Sequence, residues 1–162
     1  MNPRPPSDST ERATRILAPP PLLHLAALVA GVALHAGWPL RAALPPTVSR
    51  VIGAALLVGA ALLIGWGIRS LRRADTPLDP NRTALHLVTS GAFALTRNPL
   101  YLGLSLAHAG LALLVPSIWL LVSALTATLL VHAGVIRPEE QRLDAAFGEV
   151  YRAYRARVRR WL

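Results

Sequence analysis

The stretch LVTSGAFALTRNPLYLG, residues 87–103, sets Thr89-Ser90-Gly91 and Arg97-Asn98-Pro99 directly before an apolar run that continues to residue 115. Turn-forming polar residues against so apolar a run mark a point where the chain enters a nonpolar medium from a surface. Pro99 suits the first turn of the helix that follows, because the N–H it lacks has no intrahelical partner there. Three further apolar runs, 22–40, 51–68 and 118–136, accompany 100–115. Each reaches or approaches the roughly 17 to 25 helical residues that span about 30 Å of hydrocarbon. The run 100–115 is short, and Pro116-Ser117 leaves only a tight helical hairpin before the fourth. At 53% hydrophobic and 15% charged residues, the 162-residue chain is too apolar for an ordinary soluble domain. The expected fold is all-α: a polytopic membrane protein with four transmembrane helices and a C-terminal amphipathic interfacial helix.

Charge gives this bundle a direction. All seventeen basic residues are Arg, and they cluster before run one, between runs two and three, and after run four; only Arg41 and Arg50 fall in the first connection. The positive-inside rule therefore predicts that both termini and the long middle connection are cytoplasmic, and the Ala- and Arg-rich, Lys-free composition points to a bacterial inner membrane. The net charge of +9 sits beside apolar runs rather than in a separate basic domain, which points to anionic lipid headgroups and away from nucleic acid. With no cysteine, disulfides and thiolate chemistry are excluded. Run one is longer than the apolar core of a signal peptide. Residues 1–21 read as a disordered or surface-lying segment, and 22–162 as a single domain with its polar regions at 76–101 and 137–162. In run two, Ala55 with Gly59 and Ala61 with Gly65 have the four-residue spacing that lets membrane helices approach closely, and small residues facing lipid are the equal alternative.

After the last run the chain carries a second block. Glu139-Glu140 open a segment in which Leu143, Phe147, Val150, Tyr151, Tyr154, Val158, Trp161 and Leu162 recur at helical steps, with Arg142, Arg152, Arg155, Arg157 and Arg159 opposite. This predicts one amphipathic helix to the C-terminus. Two adjacent carboxylates beside a negative membrane surface would be disfavoured without a cationic partner.

Together the blocks LVTSG…RNPLYLG and EE..L...FG..Y..Y...V.R resemble the isoprenylcysteine carboxyl methyltransferase family of integral membrane enzymes, over the chain from about Thr76 onward. The resemblance implies methyl transfer from S-adenosyl-L-methionine, with S-adenosyl-L-homocysteine as product. The acceptor is lipophilic and enters from the bilayer, reacting most directly at a carboxylate oxygen; the alternatives are an amine or thiol of a lipid or small apolar molecule, or a non-catalytic membrane module. It implies cofactor contacts from Leu85, His86, Leu87, Val88, Phe93, Asn98, Pro99, Leu100, Tyr101 and Glu139, with Arg97, Glu140 and Arg137 as candidate catalytic residues. Asn98 stands where the family often has His, and Phe93 where it has Tyr. Val135 occupies the spacing at which some members place an Arg for the carboxylate being methylated, and Arg137 lies two residues on. His108 and His132, ionisable groups in apolar runs, are candidate substrate contacts. His24 and His35, eleven residues apart, share a helix face; no metal site and no obligate protein partner are expected.

Overall fold

The computed structural model describes residues 18–75 and 87–162, and among these the chain is helical, with a single isolated backbone bridge between Arg41 and Ser117. Leu85 and His86 lie outside the described residues. Helix α1 spans Pro20–Gly37, α2 Pro46–Arg73, α3 Pro99–Leu114, α4 Ile118–Val131 and α5 Arg137–Arg157. A one-turn 3-10 helix, Gly91–Ala94, precedes α3. Each of α1, α2 and α3 opens with a proline in its first turn. The helix starting at α1, that at α2, and the continuous helix from Ile118 are long and apolar enough to cross a membrane, whereas α3 is apolar but has 16 residues. This is an integral membrane protein.

The four apolar helices run alternately up and down, so the beginnings of α1 and α3 share an end with the finish of α2 and α4. At the opposite end the two short connections are stapled together: Ala42 N–H donates to Pro116 O at 2.9 Å and Ile118 N–H to Leu40 O at 3.0 Å, while Trp119 Nε1 donates to Trp38 O at 2.7 Å. Helix α3 is central, flanked by α2 on one side and α4 on the other, with α1 against α4. Leu22, Leu25, Val29, Val58, Leu62, Val122, Leu125 and Leu129 are exposed, as helix faces turned to lipid require.

Of the two readings of the small residues four apart in α2, exposure to lipid is the one the structure shows, and a different stripe joins α2 to α3. Ala55, Ala61 and Gly65 are exposed, and a Cβ at Gly59 or Gly65 would meet nothing. The buried positions are Gly53, Ala60 and Gly67, seven apart, which is the spacing of a left-handed helix pair. Opposite them, a Cβ on Gly110 would lie 2.8 Å from the Gly53 carbonyl oxygen, and one on Gly53 2.8 Å from that of Gly110. Gly110→Val must therefore separate two backbones and is expected to cost about 1–3 kcal/mol; denaturant unfolding in detergent micelles reads this directly, and an unchanged midpoint would refute the packing.

Between α4 and α5 the chain widens into a π turn, His132–Ile136. Pro138 explains it: a proline in a regular helix clashes with the carbonyl four residues back and lacks the N–H that would bond to it, and a wider turn relieves both. The helix thus continues past the apolar segment ending at residue 136 and carries Glu139 and Glu140 out beyond the apolar layer. α5 is not one straight amphipathic helix. Gly148, at φ 51° and ψ −123°, breaks it, and Val158 leaves the helix at φ −116°, ψ 128°. The break resets the helical register, so Val150 is exposed while Tyr151 and Tyr154 are buried. Residues 158–162 form a non-helical tail.

Candidate functional site

The two polar blocks that the sequence singled out meet at the end of the bundle where α3 begins and α5 departs. Ser70, near the end of α2, organises the entry: its Oγ donates to Trp66 O at 2.9 Å and accepts from Ala92 N–H at 3.2 Å, docking the Gly91–Ala94 turn on α2. Gly91 sits at φ 64°, with the Ser70 hydroxyl against the position its Cβ would take, so both the backbone angle and the space require glycine. From that turn the chain reaches the corner Thr96-Arg97-Asn98. Thr96 and Asn98 are buried, and Asn98 N–H donates to Thr96 Oγ1 at 3.2 Å.

The corner grips the two glutamates side by side. Tyr101 Oη donates to Glu139 Oε2 at 2.9 Å, and Arg97 Nη2 lies 3.1 Å from Glu140 Oε1. Burial pushes the Glu139 carboxyl up to about 6, opposed by the Tyr101 hydrogen bond and the Arg142 charge and reinforced by Glu140. Glu140 is buried and holds a second cation: Arg160 Nε donates to its Oε1 at 3.0 Å and Arg160 Nη2 to its Oε2 at 2.6 Å. This bidentate geometry is the strongest an ion pair adopts. Arg97 is 9% exposed at its side chain, and its Nε and Nη1 have no hydrogen-bond partner among the described residues. A buried guanidinium with two unspent donors is costly to keep unless something accepts them.

The C-terminal tail closes one side. Arg97 N–H donates to Arg159 O at 3.0 Å, and Thr96 Oγ1 and Asn98 Nδ2 donate to Arg160 O at 3.0 and 2.9 Å. Trp161 stacks on His132, its Nε1 donating to His132 Nδ1 at 3.3 Å. Tyr154 Oη donates to Phe93 O at 2.6 Å, and burial raises the phenols of Tyr151 and Tyr154, so both stay protonated. Beneath this lie Val131, Val135 and Ile136, fully buried, with Leu23 of α1, Tyr101 and Trp161 packed on them.

The structure therefore brings together Arg97, Asn98, Pro99, Tyr101, Glu139, Glu140, His132 and the backbone of Phe93. Leu87 and Val88 lead into the turn, half-buried, and Leu100 faces Gly67 of α2. Arg137 is exposed and takes no part in the Glu140 cluster. His108 is held away from the corner, within the bundle, by His24 and Ser123. Arg160 and Trp161 enter the site although a continued helix would have carried them past it. Thr96 and Ser70 carried no sequence signal beyond being polar near a turn. Arg69, Arg72 and Arg73 line an open groove with Gly65 and Ile68 on α2, a suitable face for headgroup phosphates.

Helices that cross a membrane, ending in a polar corner with an acidic pair packed beside it, define a membrane protein with a polar site at one end of its bundle. The family model described as phospholipid methyltransferase matches residues 48–150, and the chain belongs to that family. The family includes the isoprenylcysteine carboxyl methyltransferase-like enzymes, so the chain is a membrane methyltransferase. No curated protein and no solved structure matches it.

Proposed function

We propose that the protein transfers a methyl group from S-adenosyl-L-methionine to a lipophilic acceptor at the cytoplasmic face of a bacterial inner membrane, using α1 to α4 as four spans. The observation that carries the cofactor assignment is the presence, at one end of the bundle, of a half-buried carboxylate, Glu139, and of a guanidinium, Arg97, whose buried Nε and Nη1 have no hydrogen-bond partner among the described residues. S-adenosyl-L-methionine presents an ammonium and a carboxylate at one end, and the residues fit both: Glu139 would hold the ammonium or the ribose hydroxyls, and Arg97 Nε and Nη1 the carboxylate. The Phe93 turn, Leu87, Val88, Leu100 and the first turn at Pro99 would frame the nucleoside, as would Leu85 and His86. The cofactor supplies an electrophilic methyl on a sulfonium; the protein orients it and excludes water.

Arg137 is exposed and apart from the Glu140 cluster, and the family matched is one of phospholipid methyltransferases, which favours an amine or thiol of a lipid as acceptor over an anion. Carboxyl O-methylation is the second reading, and what favours it is that the same free donors of Arg97 suit a substrate carboxylate. Membranes containing the overproduced protein, incubated with methyl-labelled cofactor, should yield a labelled lipid. Base-stable label identifies the nitrogen or sulfur product, base-labile label the ester, and the absence of any labelled lipid would refute the proposal.

Protonation gives a second test. Only ionised Glu139 attracts a cation, so affinity for S-adenosyl-L-homocysteine should fall as pH drops through about 6. Tyr101→Phe removes a hydrogen bond that stabilises the ionised form, so this loss should begin at higher pH in the variant. Identical pH profiles for variant and wild type would count against Glu139 as the cation holder.

A further inference from the structure

Helix α2 carries a second feature, on the side turned away from α3. A Cβ on Gly67 would lie 3.0 Å from Leu100 Cδ2, so Gly67 marks the side packed on α3. At about 100° per residue, Gly65, Arg69 and Arg72 stand about 160°, 200° and 140° around the helix from Gly67, on the opposite side. Val51, Val58, Leu62, Gly65, Arg69 and Arg72 follow one another at steps of seven, four and three, and each is exposed. They form one continuous stripe.

Over most of its length this stripe is apolar: Val51, Val58 and Leu62 are 63%, 60% and 69% exposed, as a face against acyl chains requires. Toward the end of α2 its character changes within two turns. Gly65 leaves an open slot, since a Cβ there would meet nothing, and with Ile68, Arg69, Arg72 and Arg73 it lines a groove of about 460 Å³. Arg97, Arg152 and Arg160 each pair with a carboxylate, whereas Arg69, Arg72 and Arg73 form no ion pair among the described residues, with Asp75 or any other acid. The helix dipole and the positive charge of one membrane face account for arginine at this end of α2. Neither accounts for three of them at i, i+3 and i+4, where like charges repel. An anion shared among the three removes that repulsion. Arg69 and Arg73 are about 6 Å apart along the axis, so one phosphodiester can meet all three guanidinium groups.

We infer that this groove holds the phosphate of an anionic phospholipid whose acyl chains lie along Leu62 and Val58. The two parts of the stripe select the occupant. A soluble anion would use the arginines and leave the apolar part without a role. A second copy of the chain, packed through the same stripe in the same membrane, would set three arginines against three. A lipid matches charge at one end and hydrocarbon along the rest. It is a bound lipid and not the methyl acceptor, because α2 stands between the groove and the corner. Ser70, about 60° from Gly67 and so on the α3 side, docks the Gly91–Ala94 turn at the other face of the helix. The lipid thereby steadies the helix end on which that turn rests. The inference does not depend on the methyltransferase reading.

The test uses the full-length protein in a non-ionic detergent, titrated with phosphatidylglycerol, with phosphatidylcholine or with glycerol 3-phosphate alone, and read by native mass spectrometry. Phosphatidylglycerol should bind at a single saturable site on each chain and raise the unfolding midpoint, while the zwitterionic lipid and the soluble phosphate do neither. Arg69→Gln, Arg72→Gln and Arg73→Gln together should weaken that binding by about 100-fold, the sum of three charges at a membrane surface. Arg155→Gln, Arg157→Gln and Arg159→Gln remove the same charge from exposed positions elsewhere and should leave it within about twofold. Gly65→Leu fills the slot at unchanged charge and should weaken binding about tenfold. Circular dichroism of every variant without lipid should match the wild type, because all these side chains are exposed. Equal retention of the two lipids, equal losses in the two triple variants, unchanged binding in Gly65→Leu, saturable binding of glycerol 3-phosphate alone, or a lipid-free dimer that Gly65→Leu disrupts would each overturn the inference.

Discussion

Glu139→Ala is expected to weaken binding of S-adenosyl-L-homocysteine by about 100-fold or more in titration calorimetry. The reason is local. Glu139 accepts the Tyr101 phenol at 2.9 Å in a site whose burial already lifts its carboxyl to about 6. In such surroundings each hydrogen bond to a charged group contributes about 1.5–3 kcal/mol. Losing the carboxylate removes the charge-assisted hydrogen bonds that would hold a cationic amine. Their loss amounts to about 3 kcal/mol, and every 1.4 kcal/mol is tenfold in affinity. Glu139→Gln keeps an acceptor for Tyr101 and removes the charge, so it should fall between wild type and Ala. If all three proteins bind alike, Glu139 does not touch the cofactor.

Glu140→Ala should act on stability more than on binding. Glu140 neutralises two guanidinium groups, that of Arg160 through two bonds and that of Arg97 at 3.1 Å. Removing one member of a buried ion pair strands the other and costs roughly 3–5 kcal/mol. Arg160 is about a third exposed and can turn to water, whereas Arg97 cannot. The lower end of that range, about 3 kcal/mol, is therefore expected from unfolding midpoints in detergent. The tail should loosen as well, because Arg160 no longer anchors residues 158–162 against Thr96 and Asn98. Trypsin should then remove the C-terminal residues faster than in wild type, read by mass spectrometry of the intact chain. A variant with wild-type stability and an equally resistant tail would show that the Glu140 cluster is incidental.

Helices, ends and corner were legible in this chain because each has a local cause. Pro46 and Pro99 begin helices where their missing N–H costs nothing, and Ile118 follows a Ser117 whose side chain accepts from Leu120 N–H at 3.3 Å. α2 runs beyond its apolar stretch to Arg73, since arginine is a good helix former and apolarity alone does not end a helix. The meeting of Arg97 and Tyr101 with the glutamate pair followed from placing both blocks at one end of an alternating bundle.

Partners across helices were not legible, because they depend on how each helix is rotated about its axis. Small residues recur in α2 at both four and seven positions, and only contact with Gly103 and Gly110 selects Gly53, Ala60 and Gly67. His24 and His108 lie 84 residues apart and nothing local connects them. The tail is the plainest miss. A helical period fits residues 143 to 162 well, yet Gly148 takes a positive φ that restarts the count, and Arg160 and Trp161 turn back to the corner. Glycine permits that angle; what selects it is burial of Tyr151 and Tyr154 and the two-bond grip on Glu140.

That the corner and the acidic pair form one nucleoside site is tested most directly by titrating the purified wild-type protein with S-adenosyl-L-homocysteine at pH 8, where Glu139 is ionised. Saturable heat with one ligand per chain, lost in Glu139→Ala, is the expected outcome. No saturable heat from a folded wild-type protein would mean that Arg97 and Glu139 meet for structural reasons alone and that the cleft binds no such cofactor.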